Sequence, residues 1–185
     1  MPTYTRTASA FQVASKTGGG TNWTNEGNIL ANDAAVATSA ATTQYLVASS
    51  PNVNWLVGPP ADGETETGSP TLADLTVTVE TNSPSSGTGT MELYQNGSLV
   101  TTKTYTINTG SQTQTWSGND TYWGLTLTDV FSLDAISVRF KSATSSGITC
   151  DYIAASFSIS QEYTSGGGGG SRRRAVYVAK NNPDN

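Results

Sequence analysis

A chain of 185 residues with 12% charged side chains, a single cysteine and no histidine is closed to several chemistries at once. Without histidine there is no Ser-His-Asp triad, imidazole base or histidine metal ligand. One thiol, Cys150, leaves no internal disulfide and no cysteine-based zinc or iron–sulfur site. The net charge of −5 is unevenly spread: residues 1–165 hold five basic against thirteen acidic side chains, while 171–185 hold four basic against one acidic. An acidic body with a small basic tail argues against nucleic acid as the partner of the body.

Residues 1–20 are polar around Tyr4, Phe11 and Val13 and close on Gly18-Gly19-Gly20, which reads as an extended N-terminal arm. The N-terminus lacks the apolar core of a signal peptide, and no 18-residue apolar run occurs. The expectation is synthesis in a cytoplasm without membrane insertion. The body, 21–163, is dominated by period-two alternation. The Ala-rich segment 28–40 permits a helix, but a short turn followed by a strand fits equally well. Weaker strands are expected at 43–48, 53–57, 112–117 and 121–128. Leu75, Val77 and Val79 alternate with Thr76 and Thr78, and Asn96-Gly97 separates two strand-like runs. Asn-Gly supplies the two positive φ angles of a type I′ turn, so a hairpin is expected there. Ile136, Val138 and Phe140 form another alternating set, and Ile148 to Ile159 reads as one long strand or a bulged pair, with Cys150 as a small buried hydrophobe. About eight antiparallel strands with intervening turns predict an all-β, two-sheet sandwich or jelly roll. Residues 164–170 form a Gly-rich linker, and five consecutive glycines, Gly166 to Gly170, make a flexible tether. The basic C-terminal arm, 171–185, follows.

The remaining candidates for chemistry are few. Asp129 with Asp134, or Glu80 with Glu92, are the carboxylate pairs a glycosidase would need, but each sits where a solvated surface role is ordinary. Asp62, Glu64 and Glu66 alternate in the loop G-P-P-A-D-G-E-T-E-T-G-S-P and could offer oxygen ligands to calcium, though without the twelve-residue EF-hand pattern. Trp23, Trp55, Trp116 and Trp123 could stack on sugar rings, against the ordinary reading that tryptophans beside strands are core. In the tail, Arg172, Arg173 and Arg174 followed by Val176, Tyr177 and Val178 combine a basic anchor with a segment able to add a strand to a neighbour. No catalytic, cofactor or metal residue is assigned, and the protein is expected not to be an enzyme.

Two stretches carry a resemblance. The first is T-N-W-T-N-E-G-N-I-L-A-N-D-A-A-V-A-T, with Trp23, Asn25, Asn28, Asp33 and Ala37 in order, followed by Q-Y-L-V-A. The second is Y-W-G-L-T-L-T-D-V, with Trp123, Gly124 and Leu125, then two closing strands. Together they span 22–160 and resemble a β-sandwich of tailed-phage structural proteins, departing from it in the acidic loop ahead of the third strand. The resemblance implies a virion component with a jelly-roll-like body, in which Trp23, Asn28, Asp33, Trp123 and Gly124 are structural. The leading expectation is a capsid cement or decoration protein. It would form a homotrimer on the capsid surface and bind the major capsid protein and neighbouring copies of itself through its arms, with no cofactor, membrane or nucleic acid. A tail, neck or fibre component is the alternative within that class, and a carbohydrate-binding module the alternative outside it.

Overall fold

The computed structural model describes residues 3–9, 11, 13–18, 23–40, 44–49, 64–127, 136–144 and 146–165. These form ten strands: β1 (Thr3–Ser9), β2 (Val13–Thr17), β3 (Ala37–Ser39), β4 (Tyr45–Ser49), β5 (Glu64–Ser83), β6 (Gly87–Gln95), β7 (Ser98–Ile107), β8 (Gly110–Gly118), β9 (Ile136–Thr144) and β10 (Ile148–Ser165). One sheet runs β1-β10-β5-β8, with β3 also paired to β10, and the other runs β2-β4-β9-β6-β7. Every pairing is antiparallel. The chain is an all-β, two-sheet sandwich.

The alternation in sequence decides which side chains enter the slab between the sheets. Leu75, Val77 and Val79 of β5, Met91 and Leu93 of β6, Val138 and Phe140 of β9, and Ile153, Ala155, Phe157 and Ile159 of β10 are all buried. Two long strands keep their faces only because each carries a bulge. The β5–β10 register slips between Ser158 and Ile159, opposite Ala73, which lets Leu72 and Leu75 both point inward although three residues apart. A second slip beside Asp151 does the same for Cys150 and Ile153. An extra residue reverses the parity of everything beyond it, so each bulge preserves the core on both of its sides.

Four aromatic rings run in a chain through this slab. Trp23 and Phe140 lie 6.4 Å apart, Phe140 and Tyr105 6.4 Å, and Tyr105 meets Trp116 edge-on at 5.6 Å. Tyr105 fits because its cross-strand partner is Gly89, where a Cβ would collide with the tyrosine ring.

The Asn96-Gly97 hairpin forms as the dipeptide requires: β6 and β7 are joined by these two residues alone, at φ 50° and 77°. The segment 28–40 adopts the second of its two readings, a 3-10 turn over Glu26–Leu30 followed by β3. Elsewhere the structure corrects the sequence. The N-terminal segment is not a free arm: β1 pairs with β10 and β2 with β4, so it supplies one strand to each sheet, with Phe11 between them buried. In the segment expected as a strand at 121–128, the described residues 121–127 do not form one. A one-turn helix, α1 (Asp120–Trp123), forms because the Asn119 side chain accepts the Tyr122 N–H at 3.0 Å and Gly124 closes the turn at φ 73°. From Glu64 onward the acidic loop is strand β5, paired with the end of β10 as far as Ser165. The strand expected at 53–57 lies outside the described residues.

Phe140 sits at the middle of the ring chain, so its truncation to alanine is expected to cost about 3–5 kcal/mol of stability. Urea unfolding of the variant and wild type measures this, and a loss below about 1 kcal/mol would mean the slab collapses around the gap.

Candidate functional site

The residues named by the resemblance stand at positions that fix backbone. Trp23 is fully buried; its backbone N–H and its indole N–H donate to the Gln44 side-chain and backbone oxygens, each at 3.0 Å. Asn28 donates to the Val36 carbonyl at 3.2 Å, and Asp33 accepts the Ala35 N–H at 3.0 Å beside Ala34 at φ 65°. Trp123 is 1% exposed and donates its indole N–H to the Leu75 carbonyl of β5 at 2.8 Å, while Gly124 caps α1. One indole thus ties down the approach to β4 in the second sheet and the other a central strand of the first. An indole nitrogen inside a core must find an acceptor, and a backbone carbonyl left free at the end of a ladder bond is the natural one.

Trp23, Trp116 and Trp123 are therefore core residues, and none of the three offers a ring face for sugar. Trp55 lies outside the described residues, as do Asp62, Asp129 and Asp134, and so do Arg172, Arg173, Arg174, Val176, Tyr177 and Val178. Glu80 and Glu92 do not form a pair: Glu80 lies on the outer face of the first sheet, held by Asn32 at 3.2 Å, and Glu92 on the outer face of the second. No group of three or more acidic or cysteine side chains that could hold a metal ion comes together among the described residues. Cys150 is fully buried, and burial pushes its thiol well above the ordinary range, away from the thiolate that reacts.

A different cluster occupies the outer face of the second sheet, centred on Glu92. Tyr45 of β4 donates its hydroxyl to Glu92 Oε1 at 2.6 Å, and Tyr94 of β6 donates to Oε2 at 3.1 Å. The Arg139 guanidinium carbon lies 3.7 Å from the Tyr94 ring centre, and Lys141 Nζ lies 4.6 Å from that of Tyr45. The register explains the meeting: Arg139 stands opposite both Glu92 and Val47, and Lys141 opposite Thr90. Burial, followed by the bond to Glu92, raises the pKa of both tyrosines, so the hydroxyls remain donors at neutral pH. The four residue types alternate outward in the sequence, but only the strand order β4-β9-β6 brings them together.

No family model and no curated protein matches this chain. Among solved structures it is similar to a xylan-binding domain of family 22 from Paenibacillus barcinonensis Xyn10C, at 10% identity over 81% of this chain and 98% of that one, with a TM-score of 0.39. It is also similar to a family 11 carbohydrate-binding module from Clostridium thermocellum (14% identity, 81% and 88% covered, TM-score 0.33). A third structure, described as "CBM4 structure and function", is 12% identical over 67% of this chain and 76% of its own, with a TM-score of 0.35. Similarity at this level transfers no ligand, and the sandwich rests on the pairing of the strands themselves.

Tyr105 supplies a pH dependence. Burial raises its pKa from 10.0 to about 12, with the Thr81 hydroxyl opposing the rise. The folded state therefore holds this proton more tightly than the unfolded chain. That stabilisation is intact below pH 10 and is lost as the pH rises through about 12. Melting temperature is expected to fall over this window, and Tyr105→Phe to flatten part of the fall. An unchanged slope in the variant would mean that Tyr105 ionises as freely in the folded protein as in the unfolded one.

Proposed function

We propose that this chain is a non-enzymatic structural protein of a tailed-phage virion, and specifically a cement or decoration protein that binds the outer capsid shell as a homotrimer. The observation that carries the reading is the role of the two stretches behind the resemblance. Their anchors, Trp23 and Trp123, are both fully enclosed, and each binds a backbone carbonyl, one in each half of the sandwich. The likeness therefore lies in residues that determine the fold, which is where a shared architecture would leave its mark.

The physical character of the body supports the same reading. The described outer strand faces are rich in Thr and Ser, and the sheets are extensively paired. A protein that binds only the assembled shell stabilises it by mass action, with no chemistry required. In this reading the basic segment around Arg172, Arg173 and Arg174, carried on the Gly166–Gly170 tether, reaches the major capsid protein or a neighbouring copy.

Quantitative mass spectrometry of purified virions tests the assignment, with the major capsid protein as internal standard. A copy number comparable to that protein is expected. A number lower by about an order of magnitude would move the chain to the neck, tail or fibres, and absence from the particle would sink the virion reading. For the tail, truncation after Ser165 is expected to reduce incorporation and shell stability; unchanged particles would exclude a lacing role.

A further inference from the structure

The cluster around Glu92 is not required by the fold. Its members lie on the solvent side of β4, β9 and β6, while the core is built from their neighbours Leu46, Phe140, Met91 and Leu93. Exposed cation–π pairs contribute only weakly to stability. Against that gain, Arg139 Nε is buried with no hydrogen-bond partner among the described residues, a desolvation cost that the fold alone does not repay. The cluster is also rigid, because all five residues stand on paired strands rather than on loops.

Its charge sets it apart from the rest of the body. Arg139 and Lys141 face solvent here, whereas the outer face of the first sheet carries Asp74 and Glu80 and, among the described side chains, no cation. Glu92 stands opposite Arg139, with both oxygens already holding tyrosine hydroxyls. A bare polyanion would meet that carboxylate as a repulsion. A ligand with both anionic groups and hydroxyls would use both signs. The surroundings suit such a ligand: Thr90, Thr102, Thr104 and Ser137 extend the face with hydroxyl groups.

We propose that the outer face of the second sheet binds a carboxylate-bearing saccharide of the polyuronate type. Arg139 and Lys141 take the sugar carboxylate, the Arg139 guanidinium being held over the Tyr94 ring and using its two terminal nitrogens for a two-pronged contact. Glu92 accepts sugar hydroxyls, and the exposed parts of Tyr45 and Tyr94 pack against the ring C–H groups. This site is independent of the virion assignment, since a saccharide could be bound by the protein wherever it is located.

Isothermal titration of the full chain with trigalacturonate and with an alginate oligosaccharide tests the proposal, with cellotriose and dextran sulfate as comparators. Binding of at least one uronate is expected, weakening with salt, and at least about tenfold tighter than cellotriose. Arg139→Ala is expected to weaken it about tenfold or more, and Arg139→Lys less, because charge survives without the fork. Near-ultraviolet circular dichroism and melting check that each variant is folded. No binding of either uronate, binding unmoved by Arg139→Ala, or equal binding of dextran sulfate would overturn the site. Val13 and Leu99, 41% and 52% exposed, flank the cluster. If serine at these two positions weakens uronate binding as much as Arg139→Ala does, the proposed contacts are wrong.

Discussion

The chain of rings from Trp23 through Phe140 and Tyr105 to Trp116 links parts of the fold that are distant in sequence. Phe140 comes from β9 in the middle of the second sheet, Trp116 from β8 on the edge of the first, and Trp23 from the segment preceding the 3-10 turn. Rings carry large buried areas and prefer tilted or edge-on contacts, so the chain sets how the two sheets sit against each other as well as how strongly they adhere. The indole bonds of Trp23 and Trp123 then fix the segments that would otherwise be free to slide. Which strand faces look outward, and in what register, depends on this arrangement.

The sheets leave two very different outer surfaces. One presents a ladder of small hydroxyls, Thr76 with Ser117 and Thr78 with Thr115, edged by Asp74. The other concentrates aromatic and charged side chains around Glu92. Because both surfaces are built on paired strands, neither can rearrange without breaking backbone ladders, and binding to either would involve little ordering cost. A protein of this construction recognises by presenting a fixed surface, which suits a coat component and a saccharide platform equally well.

The strand faces are legible in the sequence wherever alternation is uninterrupted, as in Leu75-Val77-Val79 and Ile136-Val138-Phe140, and the Asn96-Gly97 turn announces itself through its φ requirements. What stays hidden is non-local. Nothing near Thr3–Ser9 says that β10 extends far enough to pair with it, so a polar segment resembles an arm. The bulges at Ala73 and Asp151 are single residues whose effect emerges only when the partner strand is known. At 121–128 alternating Leu residues suggest a strand, but Asn119 and Gly124 cap a single helical turn first. The site follows the same rule: tryptophans stand out because they are large, and their size is what puts them in the core. Tyr45, Glu92, Tyr94, Arg139 and Lys141 sit on three strands from distant parts of the chain, and no spacing within any one of them reveals the cluster.

Gly89 has a consequence for how this sequence can drift over generations. Its missing side chain is the space that Tyr105 fills, so the two positions are coupled: any larger residue at 89 displaces the ring, and a small residue at 105 leaves a hole over the glycine. Descendants of this chain should keep glycine at 89 wherever a ring stands at 105.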